Sequence, residues 1–202
     1  MKSISIIVFL VFIPLITGCN GKTKTRNTEN CTTFFNQANC KLNEYYLTHN
    51  DSCLYLSLNY IEKALSLCTE HKASLFNLKI TLLMLLHKYE EGYEFVDSVN
   101  NNNFAKPYKK NLYLKTFKAL AFEVKGDTLK RDRCFNEVES EIKYYLSKHQ
   151  SDKEAISDLF FIKAKHTNIG IVIKEIELLQ DKNKENIEFF ESLKETIKAM
   201  HK

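Results

Sequence analysis

The sequence contains no tryptophan, and it has only five glycines and two prolines in 202 residues. Folds rich in β-strands need many tight turns, which draw on glycine and proline, so their scarcity argues against such a fold. From Thr33 onward the apolar residues recur at the spacing of an α-helix, and no useful stretch alternates as a strand does. The sequence therefore predicts an all-α protein.

The chain also lacks the short motifs that mark common catalytic and cofactor sites. It has no Walker loop, no GxGxxG, no GxSxG and no HExxH, and its six histidines are scattered. It has no CxxC and no set of Cys and His with zinc spacing. Its formal charge is +4 at pH 7, without the basic block that is typical of nucleic-acid binding. We therefore expect a protein that is not an enzyme, that needs no cofactor or metal and that binds no nucleic acid.

The N-terminus has a charged start, a short apolar run and an end of small residues. Lys2 precedes a nearly uninterrupted apolar run from Ile4 to Ile16. This run is shorter than the ~20 residues that a membrane-spanning helix needs. The arrangement is typical of a secretory signal peptide, which we assign to residues 1–18.

The run ends at Ile16-Thr17-Gly18-Cys19, which resembles a bacterial lipobox. The resemblance implies that Cys19 is acylated and becomes the new N-terminus. Asn20, where an Asp would act as a retention signal, implies transfer to the outer membrane. The composition, rich in Asn, Lys and Ile, resembles that of Bacteroidota proteins.

The residues that follow Cys19 are polar and slightly basic. No large apolar side chain occurs before Cys31, so this stretch cannot bury much surface. We expect residues 19–32 to form a flexible tether and residues 33–202 to form the folded domain. The tether lacks the acidic patch of many surface-exposed lipoproteins, which favours a location facing the periplasm.

Five cysteines remain after Cys19, and an oxidising envelope favours disulfides between them. If helices near 33–48 and 52–67 lie antiparallel, Cys31 and Cys68 meet at the same end. Cys53 would share a helix with Cys68 at a distance of about 22 Å, which is too far for a bond. We therefore predict a Cys31–Cys68 disulfide, and the odd number leaves at least one thiol free.

Three segments resemble parts of the tetratricopeptide repeat (TPR). They are YIEKAL at 60–65, KYEEG at 88–92, and KALA with KGD between 118 and 127. The inter-helix turns would then fall near Ser52, His87, Gly126 and Asn168, at spacings of 35, 39 and 42 residues, against about 34 in a standard repeat. The resemblance implies antiparallel helical hairpins stacked as a short TPR-like solenoid, with a capping helix near 185–200. An irregular bundle of the same helices is the alternative.

In such a solenoid the first helix of each hairpin lines a concave face that binds partners. The resemblance places polar and aromatic residues on that face, a mixture that suits a protein surface. These candidate binding residues are Tyr46, His49, Asn77, Thr81, Tyr113, Thr116, Glu123, Asp158 and Lys165.

Two triplets, Asp97-Ser98-Val99 and Asp127-Thr128-Leu129, resemble the Asp-Ser/Thr-apolar acceptor pattern of Bacteroidota O-glycosylation. Both fall at predicted helix ends or turns. The resemblance makes Ser98 and Thr128 candidate glycosylation sites.

Together these features predict a lipoprotein anchored in the outer membrane that binds a protein partner through its helical domain. Two roles fit: a scaffold for an envelope assembly, or an immunity protein that neutralises a toxin. The alternative is a lipoprotein that binds a small ligand or a glycan. Large glycan-binding lipoproteins of Bacteroidota also contain TPR-like helices, but they are far longer, and this chain has no tryptophan to stack on sugars.

Overall fold

The computed structural model describes residues 26–68 and 72–200. Within these ranges the chain is helical, with no strand, which confirms the predicted all-α class. The predicted signal peptide, Cys19 and the start of the predicted tether lie outside the described residues. The described helices are α1 (Arg26–Thr48), α2 (Asp51–Leu67), α3 (Lys72–Leu85), α4 (Tyr89–Ser98), α5 (Lys109–Val124), α6 (Thr128–Leu146), α7 (Lys153–His166), α8 (Ile169–Lys182) and α9 (Ile187–Ala199), with 3-10 turns at Asn101–Asn103 and Lys184–Asn186.

The helices group into two compact units that divide between Ala105 and Lys106. The N-terminal unit holds α1 to α4, and the C-terminal unit holds α5 to α9. Inside each unit, helices that are consecutive in sequence pack against each other, and α9 also packs against α7.

Asparagine and aspartate side chains cap the N-termini of several of these helices. Asn50, Asp127, Asp152 and Asn168 are N-caps, and each side chain accepts a hydrogen bond from a backbone N–H in the first turn. These caps satisfy donors that the helix itself leaves unpaired. All four lie at breaks that the sequence predicts, so the helix boundaries follow from local chemistry.

The ends of α1, α3 and α5 share one backbone feature. His49, His87 and Gly126 have positive φ angles of 52°, 56° and 74°. At α3 and α5 the chain closes with a Schellman motif, in which the N–H groups of Lys88 and Asp127 reach back five residues. The same type of reversal therefore separates α1 from α2, α3 from α4, and α5 from α6.

The N-terminal unit contains the predicted disulfide. Cys31 and Cys68 are bonded, with their Cα atoms 5.6 Å apart. Cys40, Cys53 and Cys134 are free thiols.

The structure corrects the predicted tether at its end. Residues 26–32, which the sequence analysis assigned to the flexible tether, are helical, because α1 already begins at Arg26. The physical reason is Cys31, whose buried side chain and bond to Cys68 hold this turn of α1 against the end of α2.

Two apolar clusters form the core of the C-terminal unit. Leu112, Phe135 and Ile162 join α5, α6 and α7 in the first cluster. Phe160 and Phe190 join α7 to α9 in the second, where α8 also contributes. Burying each phenylalanine contributes roughly 1.5–3 kcal/mol. These clusters fix the spacing of α5, α6 and α7, on which the candidate site depends.

Candidate functional site

Four of the candidate binding residues lie in the N-terminal unit. Tyr46 is half-buried on α1, and His49 is exposed just after the end of that helix. Both rings contact Tyr45, with centroid distances of 5.7 Å and 6.1 Å. Asn77 and Thr81 are half-buried on α3, and the Thr81 hydroxyl donates to the carbonyl of Asn77 at 3.0 Å. The structure thus places two residues near the end of α1 and two on α3, and both helices pack on α2.

The other five lie in the C-terminal unit, on α5 and α7. Ion pairs join the two helices: the Lys109 ammonium lies 2.8 Å from Glu154 and 2.7 Å from Asp158. Successive residues of each helix continue this face at helical spacing. We call this surface the α5–α7 seam and define it by Lys109, Tyr113, Thr116 and Glu123 of α5 and Glu154, Asp158 and Lys165 of α7.

The first turns of the two helices are held by a buried polar network. The Tyr108 hydroxyl donates to Asp158 at 2.7 Å, and Lys109 pairs with the same carboxylate oxygen. Lys106 pairs with Asp152, which also accepts a hydrogen bond from the Tyr145 hydroxyl at 3.0 Å. A charge that is taken out of water must be paired to be tolerated, and here each one is.

The charge of Lys109 is stabilised by this network. Burial by itself lowers the pKa of an ammonium group, but the Asp158 carboxylate and its neighbours outweigh that effect and raise the pKa of Lys109. The Lys109 residue is only 8% exposed and Asp158 only 4%. The pair therefore acts as a fixed structural link between α5 and α7.

The structure corrects two of the predicted binding residues. Thr116 is 2% exposed, and its hydroxyl donates to the carbonyl of Leu112 at 2.7 Å. Asp158 is buried against Lys109 and Tyr108. The resemblance to the repeat placed both on the predicted binding face, but the packing of the unit buries them. Neither residue is therefore available to a partner.

Sequence reasoning missed the residues that build the network. Tyr108, Lys109 and Glu154 did not appear among the candidates. A signal was present, since Lys106 and Lys109 at the start of α5 match the acidic residues Asp152, Glu154 and Asp158 at the start of α7. Opposite charges at the starts of α5 and α7 would have suggested this pairing.

Lys165 differs from Lys109, the other lysine of the seam. It is half-buried on α7, and burial lowers the pKa of Lys165 to about 8, although the nearby Glu123 carboxylate opposes the shift. No carboxylate of the described residues lies within 4.0 Å of its ammonium. Glu123 instead approaches Arg131, with 3.5 Å between the guanidinium and the carboxylate.

A second polar cluster joins α6, α7 and α8. Lys163 pairs with Glu175 and lies 3.9 Å from Glu139, and His166 lies 3.5 Å from Glu139. The His166 ring stacks on Phe135, with centroids 5.6 Å apart. These groups satisfy one another and link neighbouring helices.

An open depression of about 730 Å³ lies where the α6–α7 loop meets the residue after α8. It is lined by residues 147–152 and Asn183. Asp152 is its one carboxylate, and this group already pairs with Lys106. The depression therefore lacks the convergent acidic pair that glycoside hydrolysis requires.

The two candidate glycosylation residues lie at helix ends, as the sequence predicts. Ser98 is the exposed last residue of α4, and its hydroxyl donates to the carbonyl of Phe95 at 2.7 Å. Thr128 is the exposed first residue of α6.

Within residues 26–68 and 72–200, no group of three or more His, Cys, Asp or Glu side chains could hold a metal ion. None of the helices described for this chain combines the length and the apolar character needed to cross a membrane.

Fold and site together define an all-α protein of consecutive paired helices with a polar seam between two of them. In comparisons with known proteins, no family model, no curated protein and no solved structure matched the chain.

Proposed function

We propose that this chain is a lipoprotein, anchored through Cys19 in the outer membrane and facing the periplasm, that binds a protein partner without catalysing a reaction. The partner docks on a TPR-like stack of helical hairpins. The observation that carries the proposal is the α5–α7 seam. Tyr113 and Glu123 of α5 and Lys165 of α7 lie along this surface.

The arrangement of the helices supports the TPR-like interpretation. Within each unit, helices that are consecutive in sequence pack against each other, and a residue with a positive φ angle follows each of α1, α3 and α5. A repeated reversal at equivalent points is what a stack of hairpins requires. The drifting repeat length fits a degenerate solenoid better than a regular one.

The disulfide supports the proposed compartment. Disulfides persist in oxidising compartments such as the bacterial envelope and are rare in the cytosol. A Cys31–Cys68 bond thus agrees with an exported chain. The anchor has its own test: acyl-chain labelling in the native host should be lost in Cys19→Ala and kept in Cys40→Ala.

The binding function is tested by cross-linking the tagged chain in its native envelope and identifying the captured proteins by mass spectrometry. We expect Lys165→Glu to abolish capture, because it reverses a half-buried charge on the seam. Lys174→Glu, which makes the same change at an exposed site on α8, should not. Equal capture by both variants would refute the seam as the binding surface.

The identity of the captured proteins separates the two roles. A single effector-like protein would make the chain an immunity protein, whose deletion matters only when the toxin is present. Several resident envelope proteins would make it an assembly scaffold. Capture of no protein at all would refute the proposal and favour a small ligand or glycan instead.

A further inference from the structure

Lys165 differs from five other lysines of the C-terminal unit that are not fully exposed. Lys106, Lys109, Lys115, Lys163 and Lys194 each form an ion pair with a carboxylate. Lys165 forms none within the described residues, although its stem is also half-buried. The ammonium group of Lys165 therefore has no carboxylate partner among the described residues.

The ammonium of Lys165 is not sealed inside the fold. Among the described residues, Oδ1 of Asn39 is the one fully buried side-chain N or O atom that lacks a hydrogen bond. The Nζ atom of Lys165 also lacks a hydrogen bond, so it is not fully buried and still touches solvent. A stem held by packing and a tip open to water make a fixed receptor for an anion. Little side-chain entropy is lost when such a receptor binds, because the stem is already ordered.

Glu123 does not fill this place. Its carboxylate lies 3.5 Å from Arg131 of α6 and is about half-exposed. It nevertheless acts on Lys165 through space and partly offsets the cost of burying that charge. An incoming carboxylate would complete a Lys165 pair in a partly desolvated site, where such a pair is stronger than on an open surface.

We propose that Lys165 is an anion receptor on the α5–α7 seam and that an acidic side chain of the protein partner binds to it. This inference rests on the proposed protein-binding function and adds the chemistry of the partner: an acidic surface.

The test uses the full chain, purified in mild detergent, and dye-labelled peptides as probes. The probes are hexaglutamate with an amidated C-terminus, hexalysine, and hexaserine with a free C-terminal carboxylate. Binding is measured by fluorescence anisotropy. Hexaglutamate should bind wild type and Lys165→Arg, and it should bind Lys165→Met at least tenfold more weakly. Its affinity for Lys174→Met should equal its affinity for wild type. Lys174 is an exposed lysine of α8 and is the matched control.

Three results would overturn the inference: no binding of hexaglutamate, equal weakening by Lys165→Met and Lys174→Met, or equally tight binding of hexaserine. The last would assign the site to a terminal carboxylate. The envelope cross-linking experiment separates this failure from that of the proposed function. If Lys165→Met still captures the wild-type partner, only the anion receptor is wrong; if wild type captures nothing, the protein-binding function is wrong.

Discussion

At the scale of single residues, the Lys109–Asp158 pair controls the stability of the seam. Asp158→Asn removes the charge that compensates Lys109, which then keeps only the exposed Glu154. Breaking a buried pair by removing one partner costs about 3 kcal/mol. We expect this loss in the free energy of unfolding, measured by urea denaturation.

The control for that experiment is Glu154→Gln. The Glu154 side chain is half-exposed, so its removal should cost less than about 1 kcal/mol. If the two variants lose equal stability, the buried pair does not hold α5 to α7 in the way described.

Lys165 gives a pH-dependent prediction. The folded chain holds the pKa of Lys165 near 8, whereas an unfolded lysine titrates near 10.4. Between these values the unfolded chain binds more protons, so stability rises as the pH rises from about 8 to about 10. Below pH 8 both states are protonated and the cost of burying the charge is present in full.

Lys165→Met should therefore raise the free energy of unfolding at pH 7 by roughly 1–3 kcal/mol. The difference from wild type should shrink at pH 9.5, while Lys174→Met should change little at either pH. Urea denaturation at the two pH values measures this. A variant that is less stable than wild type at pH 7 would show that Lys165 is not held at an energetic cost.

At the scale of helices and turns, Gly126 is the most sensitive point of the α5–α6 reversal. Its φ is +74°, and a Cβ atom there would meet nothing within 4 Å. Any cost of Gly126→Ala therefore comes from the backbone conformation alone, roughly 1–2 kcal/mol. Thermal unfolding should show this loss, and Gly126→Asn should recover part of it because Asn tolerates the left-handed region. Equal losses in both variants would contradict this.

The helix boundaries could be predicted because short-range chemistry sets them. Asn50 and Asp152 are good N-caps, and Gly126 is a good residue for a left-handed turn. His49 and His87 give a weaker signal than glycine, although histidine is enriched among the non-glycine residues that adopt a positive φ. The early start of α1 was missed, although the Cys31–Cys68 bond was predicted, because residues 26–30 have no large apolar side chain to indicate a helix.

The candidate site could be predicted only in part, for a related reason. The resemblance to the repeat showed which residues share a side of α5 and of α7. It does not show what covers that side. The contact that buries Asp158 comes from Tyr108, 50 residues earlier, so the division of the seam into a buried network and an accessible end at Lys165 needed the structure.

At the scale of the whole molecule, the chain combines a proposed anchor at one end with two compact helical units. The proposed function needs the anchor to keep the chain at the membrane while the seam meets a partner. In this view the buried charge of Lys165 lowers the free energy of unfolding but provides a group for binding, a trade-off that is common at functional sites.

The Cys31–Cys68 bond has a mechanical consequence if the chain is anchored at Cys19, as proposed. When the anchor and a bound partner pull in opposite directions, tension enters at the start of α1. The bond passes that tension directly to residue 68, so the 37-residue loop it closes bears no load and cannot be drawn out. In a single-molecule pulling experiment, reduction should release about 130 Å of additional contour length, and Cys40→Ser should release none. While the disulfide is intact, a pulling force cannot separate α1 from α2.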